Sequence, residues 1–190
     1  TGSSKDSLLV RHNFLYLDSD RLGRVSLGQT SQITDGLYEI NLANALVTPG
    51  GMDESVDFLG GAFKNTFNTP FDGARRQGIY YRTPSVAGFM LSSGYSHKTQ
   101  DSGATDADEA WEIALRYAGE FNGVRLAAGI GYRHEDVNTG VTAGTENKIW
   151  MGSASVMHTP TGLFVSGGYA DQDSDDVYNR RDGWWVMAGL

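Results

Sequence analysis

The sequence predicts an all-β protein, an antiparallel up-and-down β-barrel that crosses a membrane with its strands. Three observations carry this. Apolar residues recur with period 2 in nine segments, and a helical period is hard to find. The connections alternate short and long, which gathers turns at one end and loops at the other. Behind each bulky apolar face lies mostly Ser, Gly, Ala and Arg, which is no second apolar layer.

The bulk numbers agree. With 190 residues the chain can form one domain with a real core. Zero Cys excludes a disulfide framework and thiolate zinc sites. A net charge of −8 excludes the basic footprint of a nucleic-acid binder. No apolar run approaches the ~18 residues of a membrane-crossing helix, so any membrane crossing rests on strands.

Taken in order, the predicted strands are 8–17, 23–30, 77–83, 88–97, 109–118, 124–135, 147–157, 162–171 and 183–190. The first two flank the turn "DSDRLG" (18–23). The third and fourth flank "TPSVAG" (83–88), the fifth and sixth "GEFNG" (119–123), the seventh and eighth "HTPTG" (158–162). Between these hairpins run long connections at 31–76, 98–108, 137–146 and 172–182. A Greek-key sandwich has no reason to put every long connection at one end. A weak repeat accompanies the alternation: "AGFMLSSGYSH" (87–97), "NGVRLAAGIGYRH" (122–134) and "TGLFVSGGYAD" (161–171) share an early Gly, small residues mid-strand and a late Tyr.

Parity then assigns two faces. One holds Trp111, Ile113, Leu115 and Tyr117, Leu126, Ile130 and Tyr132, Trp150 and Val156, and Trp184 and Val186. Trp111 and Tyr117 stand roughly 20 Å apart along a strand, close to the height of an apolar band edged by aromatic girdles. The other holds Arg11, Asn13, Ser92, Ser96, Glu112, Arg116, Arg125, Arg133, Ser153, Ser155 and Ser166, with Leu15, Met90, Phe164, Trp185 and Met187 as exceptions. The apolar face is expected to meet lipid, with Glu112, Arg116 and Arg133 inside.

The phrases "RVSLGQTS" (24–31), "GIYYRTPSVAGFMLSSGYS" (78–96), "EIALRYAGEFNGVRLAAGIGY" (112–132) and "GSASVMHTPTGLFVSGGYA" (152–170) resemble the general-diffusion porins of Gram-negative outer membranes. That resemblance implies a sixteen-stranded barrel, a homotrimer in contact with outer-membrane lipid and lipopolysaccharide, and passive diffusion of small hydrophilic solutes and ions. It implies no cofactor. Nine strands are odd in number, where single-chain bacterial barrels close with an even one. The chain also ends on Leu190 where such barrels end on an aromatic residue. Residues 1–190 are therefore expected to be the interior of a longer barrel, one domain incomplete at both ends.

The 31–76 connection is too long for a hairpin loop, and loops of that length are functional or disordered. The resemblance makes it the third extracellular loop, folded into the pore. Asp53, Glu54 and Asp57 then form the acidic side of a constriction, facing a basic wall of Arg11, Arg75, Arg76, Arg82 and Arg116. Opposed charges across a narrow gap set up a transverse field that orients dipolar solutes. Gln29 stands where some porins carry another wall arginine. "DQDSDD" (171–176) lacks the Gly and Glu of a calcium loop. The four His are scattered without metal-ligand spacing, and no nucleophile motif frames a Ser, so no metal site and no enzyme is expected. Two competing readings are a non-conducting barrel serving as anchor or adhesion scaffold, and a lipase-type outer-membrane enzyme.

Overall fold

The computed structural model describes residues 10, 12–43, 71, 75–98, 108–137, 144–175 and 180–190. These form nine antiparallel strands in one sheet, arranged in sequence order: β1 (Asn13–Ser19), β2 (Gly23–Ser31), β3 (Arg75–Arg82), β4 (Phe89–Lys98), β5 (Asp108–Phe121), β6 (Val124–Val137), β7 (Thr145–His158), β8 (Phe164–Ser174) and β9 (Arg181–Gly189). Every predicted strand is present. β1 and β9 each pair on one side only, so the described strands make an open sheet.

Local chemistry explains the hairpins. Asn122 and Gly123 adopt φ of 50° and 75°, and Ala87 and Gly88 adopt 51° and 85°. Two consecutive positive φ values make the type I′ turn, whose twist matches that of the flanking strands. The β5–β6 turn is accordingly tighter than "GEFNG" suggested, since pairing continues to Phe121 opposite Val124.

The faces are inverted relative to a water-soluble sheet. From Asp108 to Leu115 of β5 burial alternates strictly, with Trp111, Ile113 and Leu115 exposed and Ala110, Glu112 and Ala114 buried. Ile130, Val156 and Val186 are exposed on the same apolar face, while Arg133 on the polar face is only 3% exposed. An aromatic ladder crosses the apolar face near its loop end: ring centroids lie 5.1 Å apart for Trp111 and Tyr132, and 4.6 Å apart for Tyr132 and Trp150.

The polar face is buried where residues 32–43 lie across it. Leu37 and Tyr38 from this segment, with Phe71, form a small core against Ala114, Ile149, Met151 and Ala170 of the wall. Two of the polar-face exceptions in the sequence, Trp185 and Met187, belong to this packing. The Trp185 indole N–H donates to the Tyr38 carbonyl at 2.7 Å, and the Asn41 amide reaches the Met187 sulfur at 3.6 Å.

One strand departs from the sequence reading. Leu15 lies opposite Leu27, which lies opposite Ile79 and, beyond it, Tyr95 and Trp111. Leu15 and Asn13 are therefore on the apolar face, and Phe14 and Tyr16 are on the polar face. Both parities of β1 carry bulky apolar residues, so alternation alone could not choose between them. The register set by the Ser19–Gly23 turn does.

Candidate functional site

The polar face carries a charged centre beneath the 32–43 segment. Glu112 and Arg133 lie directly opposite each other on β5 and β6. A carboxylate this buried must be hydrogen-bonded to be tolerated. Glu112 accepts from the Ile33 amide at 2.7 Å, the Thr34 amide at 2.9 Å and the Thr34 hydroxyl at 2.8 Å. Arg133 donates to the Thr34 hydroxyl oxygen at 2.9 Å and to the Phe71 carbonyl at 3.1 Å. One guanidinium thus holds both limbs of the long connection. Glu135 joins the network, 3.0 Å from Arg133 and 3.1 Å from Arg76.

Small residues let the segment approach the wall. At Gly131 a Cβ would fall 2.4 Å from Leu37 Cδ1, and at Gly129 it would fall 2.6 Å from Leu37 Cδ2. Serines supply the remaining anchors: Ser153 Oγ accepts from the Ile40 amide at 2.9 Å and donates to the Leu37 carbonyl at 2.6 Å, and Ser155 Oγ accepts from the Leu42 amide at 3.0 Å. Burial raises the Tyr38 phenol above its ordinary pKa, so this side chain adds no charge near neutrality.

The predicted basic wall divides. Arg82 is on the polar face, exposed, and among the described residues has no side-chain hydrogen bond. Arg116 is on the same face, half-buried, donating to the Asp35 carbonyl at 2.8 Å. Arg76 shares this face but is buried against Glu135. Arg75 does not join them: neighbouring residues of a strand point to opposite faces, and Arg75 takes the parity of Ile79 on the apolar side. Arg11, Asp53, Glu54 and Asp57 lie outside the described residues. The alternation that assigned Arg11 passes through Asn13, which is on the apolar face.

Sequence reasoning missed Arg24. It lies directly opposite Arg82 on the polar face, paired with Asp18 and 4.3 Å above the Tyr16 ring. The turn register that corrects β1 would have found it. Arg125 is paired with Glu120 at 2.7 Å near the short-turn end. On the apolar side at the loop rim, pairing gathers His134, Asp136 and Glu146, with ligand atoms within 4.8 Å of one another. His134 is 3.1 Å from Asp136, and Lys148 is 3.4 Å from Glu146.

Compared with known families, the chain matches one described as Gram-negative porin over residues 1–190. No curated protein and no solved structure matches it.

Proposed function

Because this chain belongs to the Gram-negative porin family, we propose that it forms the wall of a water-filled channel in the bacterial outer membrane. Small hydrophilic solutes and ions would cross it by passive diffusion, and it would catalyse no reaction. The inversion of the faces carries this reading. Exposed Ile113, Leu115, Ile130 and Val156 suit hydrocarbon, while Arg82, Arg116 and the Ser-rich face behind them suit water. The proposal includes a homotrimer set in lipid and lipopolysaccharide, and a barrel completed by strands beyond these nine.

It also includes the constriction. Residues 32–43 already lie across the polar face, which brings the connection's outgoing limb to the interior side of the wall. Asp53, Glu54 and Asp57 would face Arg82 and Arg116, with Arg24 added and Arg75 removed. The test is a planar lipid bilayer containing the full-length protein. Stepwise unit conductance supports a channel, and its absence favours the non-conducting anchor. Neutralising Asp53, Glu54 and Asp57 together should shift the reversal potential towards anion selectivity at low salt. The shift should shrink at 1 M salt, where the Debye length is about 3 Å. Unchanged selectivity at low salt would remove these acids from the pore.

A further inference from the structure

At the loop end of the apolar face, β6 and β7 bring together one nitrogen donor and two carboxylates. His134 and Asp136 are two residues apart on β6, so their side chains leave the same face. Glu146 lies directly opposite Asp136 on β7. The ligand atoms of the three all lie within 4.8 Å of one another, and His134 Nε2 is already 3.1 Å from Asp136 Oδ1. Bonds of about 2.0–2.1 Å to a tetrahedral zinc ion set ligand atoms about 3.3 Å apart. Closing the set therefore asks a movement of at most about 1.5 Å. Glu146, the exposed member, has the flexible side chain to make it. Sequence spacing hides such a set, because pairing and not a repeat along one strand brings Glu146 to it.

The surroundings suit a cation. Trp111, directly opposite His134, stacks on the imidazole with ring centroids 5.7 Å apart and planes at 25°, which holds that ring in one orientation. Glu109, Asp136 and Glu146 stand opposite one another in a single row across β5, β6 and β7. Like charges so placed repel, and a divalent ion between two of them removes the repulsion. Lys148, 3.4 Å from Glu146, competes for that carboxylate. It has an alternative in Asp173, directly opposite it on β8, whose Oδ1 takes Arg180 at 3.0 Å and whose second oxygen can take the lysine. An imidazole beside two carboxylates suits zinc better than calcium or magnesium, which take oxygen ligands.

We propose that His134 Nε2, Asp136 and Glu146 bind one divalent ion of the zinc class, tying β6 to β7 where their long connection begins. Zinc takes the Nε2 lone pair, so the ring carries its proton on Nδ1, and water fills the fourth position. The test is calorimetric titration of Zn2+ into the untagged, chelator-stripped full-length protein in detergent, with tryptophan emission as a second readout and Ca2+ as the comparison ion. One saturable Zn2+ site per chain is expected, with Ca2+ bound far more weakly. His134→Gln should weaken Zn2+ binding by more than about a hundredfold, beyond the loss of a merely supporting contact, and Glu146→Gln by at least about tenfold. Lys148→Gln should tighten it up to about fivefold, the worth of an exposed ion pair. His158→Gln, at the short-turn end, should titrate as the wild type does. No saturable Zn2+ binding in the wild type, Ca2+ bound as tightly as Zn2+, or Zn2+ affinity unchanged in His134→Gln overturns the site. Should His134→Gln fail to fold, the exposed Glu146→Gln decides alone, and unchanged affinity there overturns the site as well. Conductance enters none of these measurements, so a protein that forms no channel leaves the outcome standing.

Discussion

Replacing Thr34 by Val tests the link between the wall and the segment that lies across it. The side chain is fully buried, and its shape is nearly kept while the hydroxyl is lost. Two contacts to buried charges go with it, the donation to Glu112 at 2.8 Å and the acceptance from Arg133 at 2.9 Å. Hydrogen bonds to charged groups are each worth about 1.5–3 kcal/mol. Glu112 keeps the amides of Ile33 and Thr34, and Arg133 keeps the Phe71 carbonyl and Glu135, so neither charge is stranded. A net loss of about 3 kcal/mol follows, equal to roughly a hundredfold in a local opening equilibrium. Amide hydrogen exchange, read by mass spectrometry on the detergent-solubilised protein, should therefore quicken about a hundredfold in peptides covering 33–37. Peptides from the centres of β5 and β6 should keep wild-type rates, because their ladder is untouched. Unchanged exchange in 33–37, or equal acceleration throughout β5 and β6, would refute the view that the Thr34 hydroxyl holds this segment independently of the sheet.

Two further outcomes follow from the faces and from the close approach. Ile130→Arg on the apolar face should cost about 2–4 kcal/mol in urea unfolding from lipid vesicles, while Ala118→Arg, exposed on the polar face, should cost far less; equal costs would contradict the assignment of faces. Gly131→Ala should cost about 1–3 kcal/mol by overpacking against Leu37, and Leu37→Ala about 2–5 kcal/mol through the cavity it leaves. Because the new methyl would enter that cavity, the double variant should be less destabilised than the two losses together, and simple additivity in the same unfolding assay would show that they do not touch.

How far the sequence reached depends on how strongly each element's pattern discriminated. β5 and β6 were legible almost residue by residue, because Trp111, Ile113 and Leu115 alternate with Glu112, Ala114 and Arg116, and a one-residue slip would bury every wrong group at once. β1 was legible as a strand and not as a face, since Leu15 and Leu17 compete with Phe14 and Tyr16 for the apolar side. Its hairpin partner removes the ambiguity: Val25 and Leu27 on β2 alternate with Arg24, Ser26 and Gly28, and pairing through the turn carries that polarity back into β1. A register argument was open to the sequence there, and it would have replaced Arg11 with Arg24 on the polar wall.

The charged centre was less accessible, for a different reason. Period 2 says which face a residue takes and nothing about what lies above that face. Glu112 and Arg133 read as two water-facing charges, each suited to touch a permeating ion. Instead they are among the most buried polar residues described, because a segment some 80 residues away in sequence lends Glu112 two amides and a hydroxyl. The signals for that burial were small: Gly94, Gly129, Gly131 and Gly168 on one face of the alternate strands β4, β6 and β8, and Trp185 and Met187 set against the polar parity. Taken singly they look like packing convenience and exceptions. Taken together they mark a strip where the wall has been hollowed and given apolar contacts, which is what a second layer of chain requires. The same logic sorts the arginines by what surrounds them. Arg133 and Arg76 serve the attachment of that layer, whereas Arg82 and Arg24 stand past its edge. On the proposed channel reading, electrostatic action on a solute would fall to residues near the short turns, while the loop-side Arg133 and Arg76 hold the covering segment.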